Sequence, residues 1–375
     1  MAQQTLTQVA EYVKLAEASY ADFSKKTLST QQAIMEKDEN DPTDMGDKSK
    51  EKFAESIVKN WTVEAHWKDS GNIINSESGF SATLFKGSND EYVLAFRGSN
   101  GFFDDGGKDF IIADAGDIVL DGFALKQSID LINFRQQLLG EDGKAYKVLT
   151  LQTDEISEIH RQLNSGTLRP QKPEEIDAMR EMAEKLKQAL DSGQYIKDGG
   201  DLYKMEWVNS DEYYGKDDDR ATGKGLSWDK ITITGHSLGG NLSAIYSTWF
   251  ANEVENTVTV NGAGFHKSVL NEENNNFNNI AAHLKDNAYS SSGNQESLGY
   301  SNTKVGDIFS IIADKGINMV AQDGVLLYQP DQIGRIFVEE LKALGHSVSP
   351  VSDTMSVMSL FAKASVGWAI YCPRC

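Results

Sequence analysis

Cysteine is almost absent. The only two, Cys372 and Cys375, lie in the closing CPRC of a 375-residue chain. This excludes a disulfide-built scaffold, and a lone CxxC lacks both the second ligand pair of a zinc site and the βαβ setting of a redox motif. Basic residues are also in deficit: 36 Lys and Arg stand against 56 Asp and Glu, which gives a formal charge of −20. Phosphate backbones are bound by neutralising Lys and Arg, so nucleic acid is not an expected partner and a polyanionic surface would be repelled. No apolar run is long enough to span a membrane. The nearest candidate, 355–372, is broken by Lys363 and several serines and reads as a packed C-terminal helix. The opening MAQQTLTQVAEYVK has no basic stretch leading into an apolar segment and a small-residue cleavage site, so no Sec signal peptide is read there.

With 39% hydrophobic and 25% charged residues, the composition is that of a globular chain. The length fits a single domain over 1–375 with a large insertion. Val9, Tyr12, Val13, Ala16 and Tyr20 recur at helical spacing, which predicts an amphipathic helix over 6–23; 36–50 reads as a polar loop. FSATLFKG and EYVLAFRG, parted by GSND, read as two strands and a turn. A helix is expected from Leu125 to Leu139. The segment 140–226 is polar, with helical spacing at Ile176, Met179, Ala183, Leu186 and Leu190, and is expected to be a largely helical insertion that interrupts the sheet. A strand at 230–234, a helix at 241–252 and a strand at 256–261 follow. Strands alternating with helices predict an α/β fold around a mostly parallel central sheet.

The sharpest local signal is Ile231-Thr-Ile-Thr-Gly235-His236-Ser237-Leu238-Gly239-Gly240. A bare GxSxG should arise by chance roughly 0.2 times in such a chain, so its context carries the weight. It follows a β-branched strand and opens a helix, the setting in which a sharp turn lifts a serine hydroxyl above a sheet edge. Such a serine needs a base to take its proton and a carboxylate to hold that base in one tautomer, and on this kind of sheet they follow in the order Ser, Asp/Glu, His. Downstream histidines are His266, His283 and His346. His266 directly follows a strand and His283 lies in a helical AAHLKD stretch, which leaves His346 in the loop-like GHSVSP. For the acid, Asp307 in TKVGDIFSII stands at the end of a short apolar run, with Asp314 in reserve. An oxyanion needs preorganised donors: the backbone N–H of Leu238 is one, and the loop opened by Phe96-Arg97-Gly98-Ser99 offers the other through Ser99.

The pairing of YVLAFRGS with ITGHSLGG resembles the class 3 lipase family of α/β-hydrolases, including its bacterial lipase and phospholipase-like branches. The resemblance covers roughly 80–140 and 228–362. It implies a serine-dependent carboxylic-ester hydrolase, a lipase or phospholipase A-type enzyme working through a covalent acyl-enzyme on acyl lipids at a lipid–water interface. It puts the nucleophile on Ser237 and the oxyanion role on Ser99 and Leu238. DFIIADAGD is similar to the family's segment whose aspartate orients the oxyanion hydroxyl, which implies that role for Asp114. The tail GHSVSPVSDTMSVMSLFA is similar to the bacterial branch and supports His346, while Asp307-Ile308-Phe309-Ser310 departs from the family's acid motif by a Phe in place of an aliphatic residue. Secretion by a route without a Sec signal peptide is the expectation, with cytoplasmic residence as the alternative.

Rival motifs fail on spacing. ATGKGLS at 221–227 lacks the GxxxxGK[ST] of a phosphate loop, and Asp217, Asp218 and Asp219 have no EF-hand pattern. No metal or cofactor is called for by the inferred reaction. The alternatives are a catalytically silent hydrolase fold serving as a binding module of a larger toxin-like assembly, and a small-ester esterase or thioesterase. Residues 153–221 hold 17 acidic and 10 basic side chains, and their apolar stripe is too narrow for a core of its own, so the insertion is expected to act as a cap over the Ser237 pocket, the alternative being a surface insertion packed elsewhere on the body.

Overall fold

The computed structural model describes residues 5–25, 27–36, 47–68, 78–98, 123–166, 168, 170–266, 276–287, 308–313, 327–328, 332–338, 351–352 and 355–359. In chain order the elements are α1 (Leu6–Ala18), α2 (Thr30–Met35), α3 (Asp47–Val58), β1 (Trp61–Lys68), β2 (Ser81–Gly87), β3 (Tyr92–Phe96), α4 (Leu125–Leu139), β4 (Lys147–Gln152), α5 (Glu155–Asn164), α6 (Pro173–Asp191), β5 (Tyr195–Asp198), β6 (Asp201–Asn209), the single turn α7 (Ser210–Tyr213), β7 (Ile231–His236), α8 (Leu238–Trp249), β8 (Val254–Val260), β9 (Phe265–His266), α9 (Asn276–Asn287), β10 (Ile308–Ala313), β11 (Leu327–Tyr328) and β12 (Gln332–Val338). They fall into two compact units, one made of 1–116, 228–265 and 303–375, the other of 117–227 and 266–302.

The first unit is built on a seven-stranded sheet in the order β1-β2-β3-β7-β8-β10-β12. From β3 to β12 neighbouring strands run parallel, whereas β1, β2 and β3 form an antiparallel meander. The sheet is therefore mixed, which corrects the expectation of a mostly parallel one. The cause is local: a tight turn at Gly87–Asp90, with Gly87 N–H donating to the Glu91 carbonyl at 2.8 Å, reverses the chain between β2 and β3. A connection that short permits only antiparallel pairing. β1 was not expected, although WTVEAHWK alternates buried with more exposed positions along most of its length, as a one-sided strand must.

Helices cover both faces of this sheet. Thr5 and Gln8 form a reciprocal capping box that starts α1, and eight of the thirteen residues of that helix are buried. Its core partners include Ile34, Ala54, Ile57, Phe85, Val258 and Ile311. The Thr234 hydroxyl of β7 donates to the Tyr12 carbonyl of α1 at 3.2 Å, so Thr234 faces α1. Side chains alternate along a strand, and Gly235 faces the other way, towards the start of α8, where a β carbon on it would lie 2.2 Å from the Gly239 carbonyl oxygen. All twelve residues of α8 are buried. α1 ends at Ala18, short of the expected Phe23, and α3 begins inside the stretch read as loop.

In the second unit the segment expected to be a largely helical insertion carries strands beside its helices. Residues 147–209 contribute a three-stranded antiparallel sheet in the order β4-β6-β5. Helix α4, which matches its predicted bounds, is fastened to β4 by Asn133, whose buried amide donates to the Leu149 carbonyl at 3.0 Å and accepts from the Leu149 N–H at 2.7 Å. The predicted stripe on α6 is not a buried face. No residue of α6 is buried, Ile176 and Ala183 are exposed, and Met179, Leu186 and Leu190 are half-buried.

Candidate active site

Ser237 stands between the last residue of β7 and the first residue of α8, with φ 57° and ψ −123°. A non-glycine residue held there is strained, and it persists only where its surroundings over-determine it. They do. Ser237 N–H donates to the Val260 carbonyl at 3.0 Å, and the Ser237 carbonyl accepts from the N–H groups of Gly240 and Ala263, both at 2.9 Å. The strand on one side, the loop after it and the first helical turn thus grip one residue, which is 4% exposed.

The glycines of the motif are required by contact. A β carbon on Gly239 would stand 2.1 Å from the Phe96 carbonyl oxygen, and one on Gly240 would stand 2.4 Å from the Gly262 α carbon. Each obstacle is backbone and cannot swing away. Asn241, fully buried one turn into α8, donates to the Gly264 carbonyl at 3.0 Å and so holds the loop after β8 against the helix start.

The strand ending in FRG reaches the same place. β3 is hydrogen-bonded directly to β7, with Phe96 opposite Gly235. Gly98 follows, and a β carbon on it would lie 3.0 Å from the Ser237 β carbon. Arg97 turns back to β2: its N–H donates to the Ser81 carbonyl at 3.0 Å and its guanidinium to the Gly79 carbonyl at 3.5 Å. The sequence expectation that FRGS and GHSLGG converge therefore holds as far as Gly98. Leu238 opens α8, so its N–H has no carbonyl one turn earlier inside the helix to bond, and the helix N-terminus favours negative charge beside Ser237. Ser99, Asp114, Asp307, Asp314 and His346 lie outside the described residues.

Strand register orients β10 against the strand that carries the nucleophile turn. His236 pairs with Val260, which pairs with Ile311, so the Ala313 end of parallel β10 points to the same sheet edge as Ser237. The Ile308 end, aligned with Thr257 and Ile233, points to the opposite edge, roughly 17 Å away at about 3.3 Å per residue. Asp307 directly precedes that far end in sequence, and Asp314 directly follows the near one. His283, set aside in the sequence, stacks flat on Trp207 in the second unit, with ring centres 5.9 Å apart and planes 4° from parallel.

Sequence reasoning missed one residue at this site. Tyr20, placed only on the core face of the first helix, brings its hydroxyl to 2.6 Å from His236 Nδ1. The available signal was a tyrosine closing an apolar stripe, because a buried phenol needs a partner for its O–H. Among the described residues no group of three or more His, Cys, Asp and Glu side chains could hold a metal ion, and no helix is long and apolar enough to cross a membrane.

No family model and no curated protein sequence matches the chain. Solved structures with a likeness to it include Lip2 lipase from Yarrowia lipolytica, at 13% identity over 88% of this chain and 79% of that one with a TM-score of 0.31, and M37 lipase, at 13% identity over 82% and 67% with a TM-score of 0.27.

Proposed function

We propose that the chain is a serine-dependent carboxylic-ester hydrolase with an α/β-hydrolase fold, acting on acyl lipids as a class 3 lipase-like enzyme. The observation that carries this is Ser237, a strained non-glycine residue at a strand-to-helix turn, gripped by three backbone hydrogen bonds and lying against Gly98 of the neighbouring strand end. Strained non-glycine residues cluster at functional sites, and a nucleophilic serine is presented on a sharp strand-to-helix turn of this kind.

In the proposed reaction the Ser237 hydroxyl attacks the ester carbonyl carbon while His346 takes its proton. The C=O electron pair moves onto oxygen, which the N–H of Leu238 and the Ser99 donors bind, with Asp114 orienting the Ser99 hydroxyl. Collapse expels the alcohol, protonated by His346, and leaves an acyl-serine that water cleaves by the same steps in reverse. An aspartate steadies the imidazolium. Register supports Asp314 over Asp307 for that role, because a triad acid has to stand at the sheet edge that carries the nucleophile.

Fluorophosphonate labelling with peptide mapping tests the proposal, alongside a panel of p-nitrophenyl esters and phospholipids with products identified by mass spectrometry. Labelling confined to Ser237, together with ester turnover, is expected. Folded protein that neither labels nor turns over any ester refutes the enzyme and leaves the binding-module alternative.

A further inference from the structure

We propose that Tyr20 is a positioning residue for Ser237, acting through His236; the inference rests on the hydrolase reading of the Ser237 turn. The Tyr20 hydroxyl and His236 Nδ1 are 2.6 Å apart and share one hydrogen bond, with ring centres at 5.8 Å and planes tilted by 57°. His236 is buried, at 6% exposure. It is also the residue whose backbone leads into the strained φ of Ser237.

The phenol touches the second half of the site as well. The point where a Gly98 β carbon would sit lies 2.5 Å from the Tyr20 hydroxyl oxygen, 2.7 Å from the His236 carbonyl oxygen and 3.0 Å from the Ser237 β carbon. One hydroxyl therefore bears on the end of β7 and on the glycine that precedes Ser99. Its own base is firm. Tyr20 follows the buried α1, its N–H donates to the Glu17 carbonyl at 3.2 Å, and α1 is tied to the same strand face by the Thr234 bond to Tyr12. Thr234 and His236 are two residues apart on β7 and so present to the same side. A segment more than 200 residues away in sequence thus closes the back of the nucleophile turn.

Two consequences separate positioning from simple packing. The imidazole tautomer is set by the partner of Nδ1, so removing the phenol O–H changes the hydrogen bond that orients the ring next to the nucleophile. Such a loss displaces the serine without removing any group that holds the ester, and displacements of about 1 Å at a reacting atom cost up to roughly 100-fold in rate. The loss should fall on kcat and leave KM nearly alone.

The experiment compares wild type, Tyr20→Phe, His236→Asn, His236→Leu and Tyr20→Phe/His236→Leu. It measures kcat and KM on p-nitrophenyl butyrate, the second-order rate of fluorophosphonate labelling, and the thermal midpoint. Tyr20→Phe is expected to lower kcat and the labelling rate together by roughly 10- to 100-fold with KM within twofold. His236→Asn, which returns a polar atom near the Nδ1 position, should retain most of the rate where His236→Leu does not, and the double variant should lose no more than the worse single. A Tyr20→Phe protein with wild-type kcat and labelling overturns the inference, as do additive losses in the double variant. If Tyr20→Phe fails to fold, the Asn and Leu variants read the same bond from the other side, and equal impairment of the two overturns it. A wild-type chain that neither labels nor hydrolyses overturns the hydrolase reading and this one with it, whereas a labelling wild type beside an unimpaired Tyr20→Phe removes this inference alone.

Discussion

Gly239 and Phe96, 143 positions apart, meet backbone to backbone: a β carbon on the glycine would lie 2.1 Å from the phenylalanine carbonyl oxygen. Gly239→Ala must therefore push β3 and α8 apart. The expected cost is about 3 kcal/mol or more, read as a fall in the denaturant midpoint, with ester hydrolysis lost even in the folded fraction. A stability within about 0.5 kcal/mol of wild type would contradict the packing.

Ser237→Ala removes one oxygen and keeps the strained backbone, so turnover should vanish while the thermal midpoint stays near wild type. Ser237→Gly removes the oxygen and the strain together. It should be equally inactive but more stable, by about 1 kcal/mol, because glycine adopts φ 57° without a β-carbon penalty. Urea unfolding of the two variants measures the difference.

Asp314→Asn should lower kcat by orders of magnitude with little change in stability, since an amide holds the wrong imidazole tautomer. Asp307→Asn should be mild. The opposite ranking would return the acid role to Asp307 despite the register of β10.

Stability should depend on pH through His66. Burial pushes this imidazole down to about 4, with Asp22 opposing and Arg97 and Lys68 reinforcing the shift. Its Nδ1 pairs with the Thr83 hydroxyl at 2.8 Å, and Phe23 stands edge-on to its ring. A histidine harder to protonate when folded takes its proton first in the unfolded chain. Its effect is small above about pH 6.5 and grows as pH falls towards 4, to a loss on the order of 3 kcal/mol. Asp22, drawn down to about 2 because its bonds from Lys68 and Ser24 outweigh burial, keeps its charge throughout that window. Chemical denaturation at pH 7, 5.5 and 4.5 should give a slope that His66→Gln flattens.

If the segment 140–226 works as a cap, replacing Met179 and Leu186 with glutamate should spare or raise activity on soluble short esters and depress it on aggregated lipid. Both side chains are only half-buried on α6, so the protein should tolerate the change. Equal effects on the two substrates, or none, would count against a cap.

What the sequence determined by itself was local. The β-branched run, Gly235, Ser237 and Gly239 specify a strand, a sharp turn and a helix within about a dozen residues, and the apolar pattern from Leu125 to Leu139 specifies a helix whose bounds the structure reproduces. Those features depend on neighbours a few bonds away, so period and turn chemistry expose them. The strands at 147–152, 195–198 and 201–209 were hidden, because the first two are brief and the third, nine residues long, interleaves Lys204 and Glu206 with its apolar residues. Only the tertiary structure decided that Gly98 lies against Ser237, that the Ala313 end of β10 shares the nucleophile's edge, and that Tyr20 reaches His236 across 216 positions. Each is a contact between segments remote in the chain, fixed by strand order and register, and neither quantity is written in any local stretch of residues.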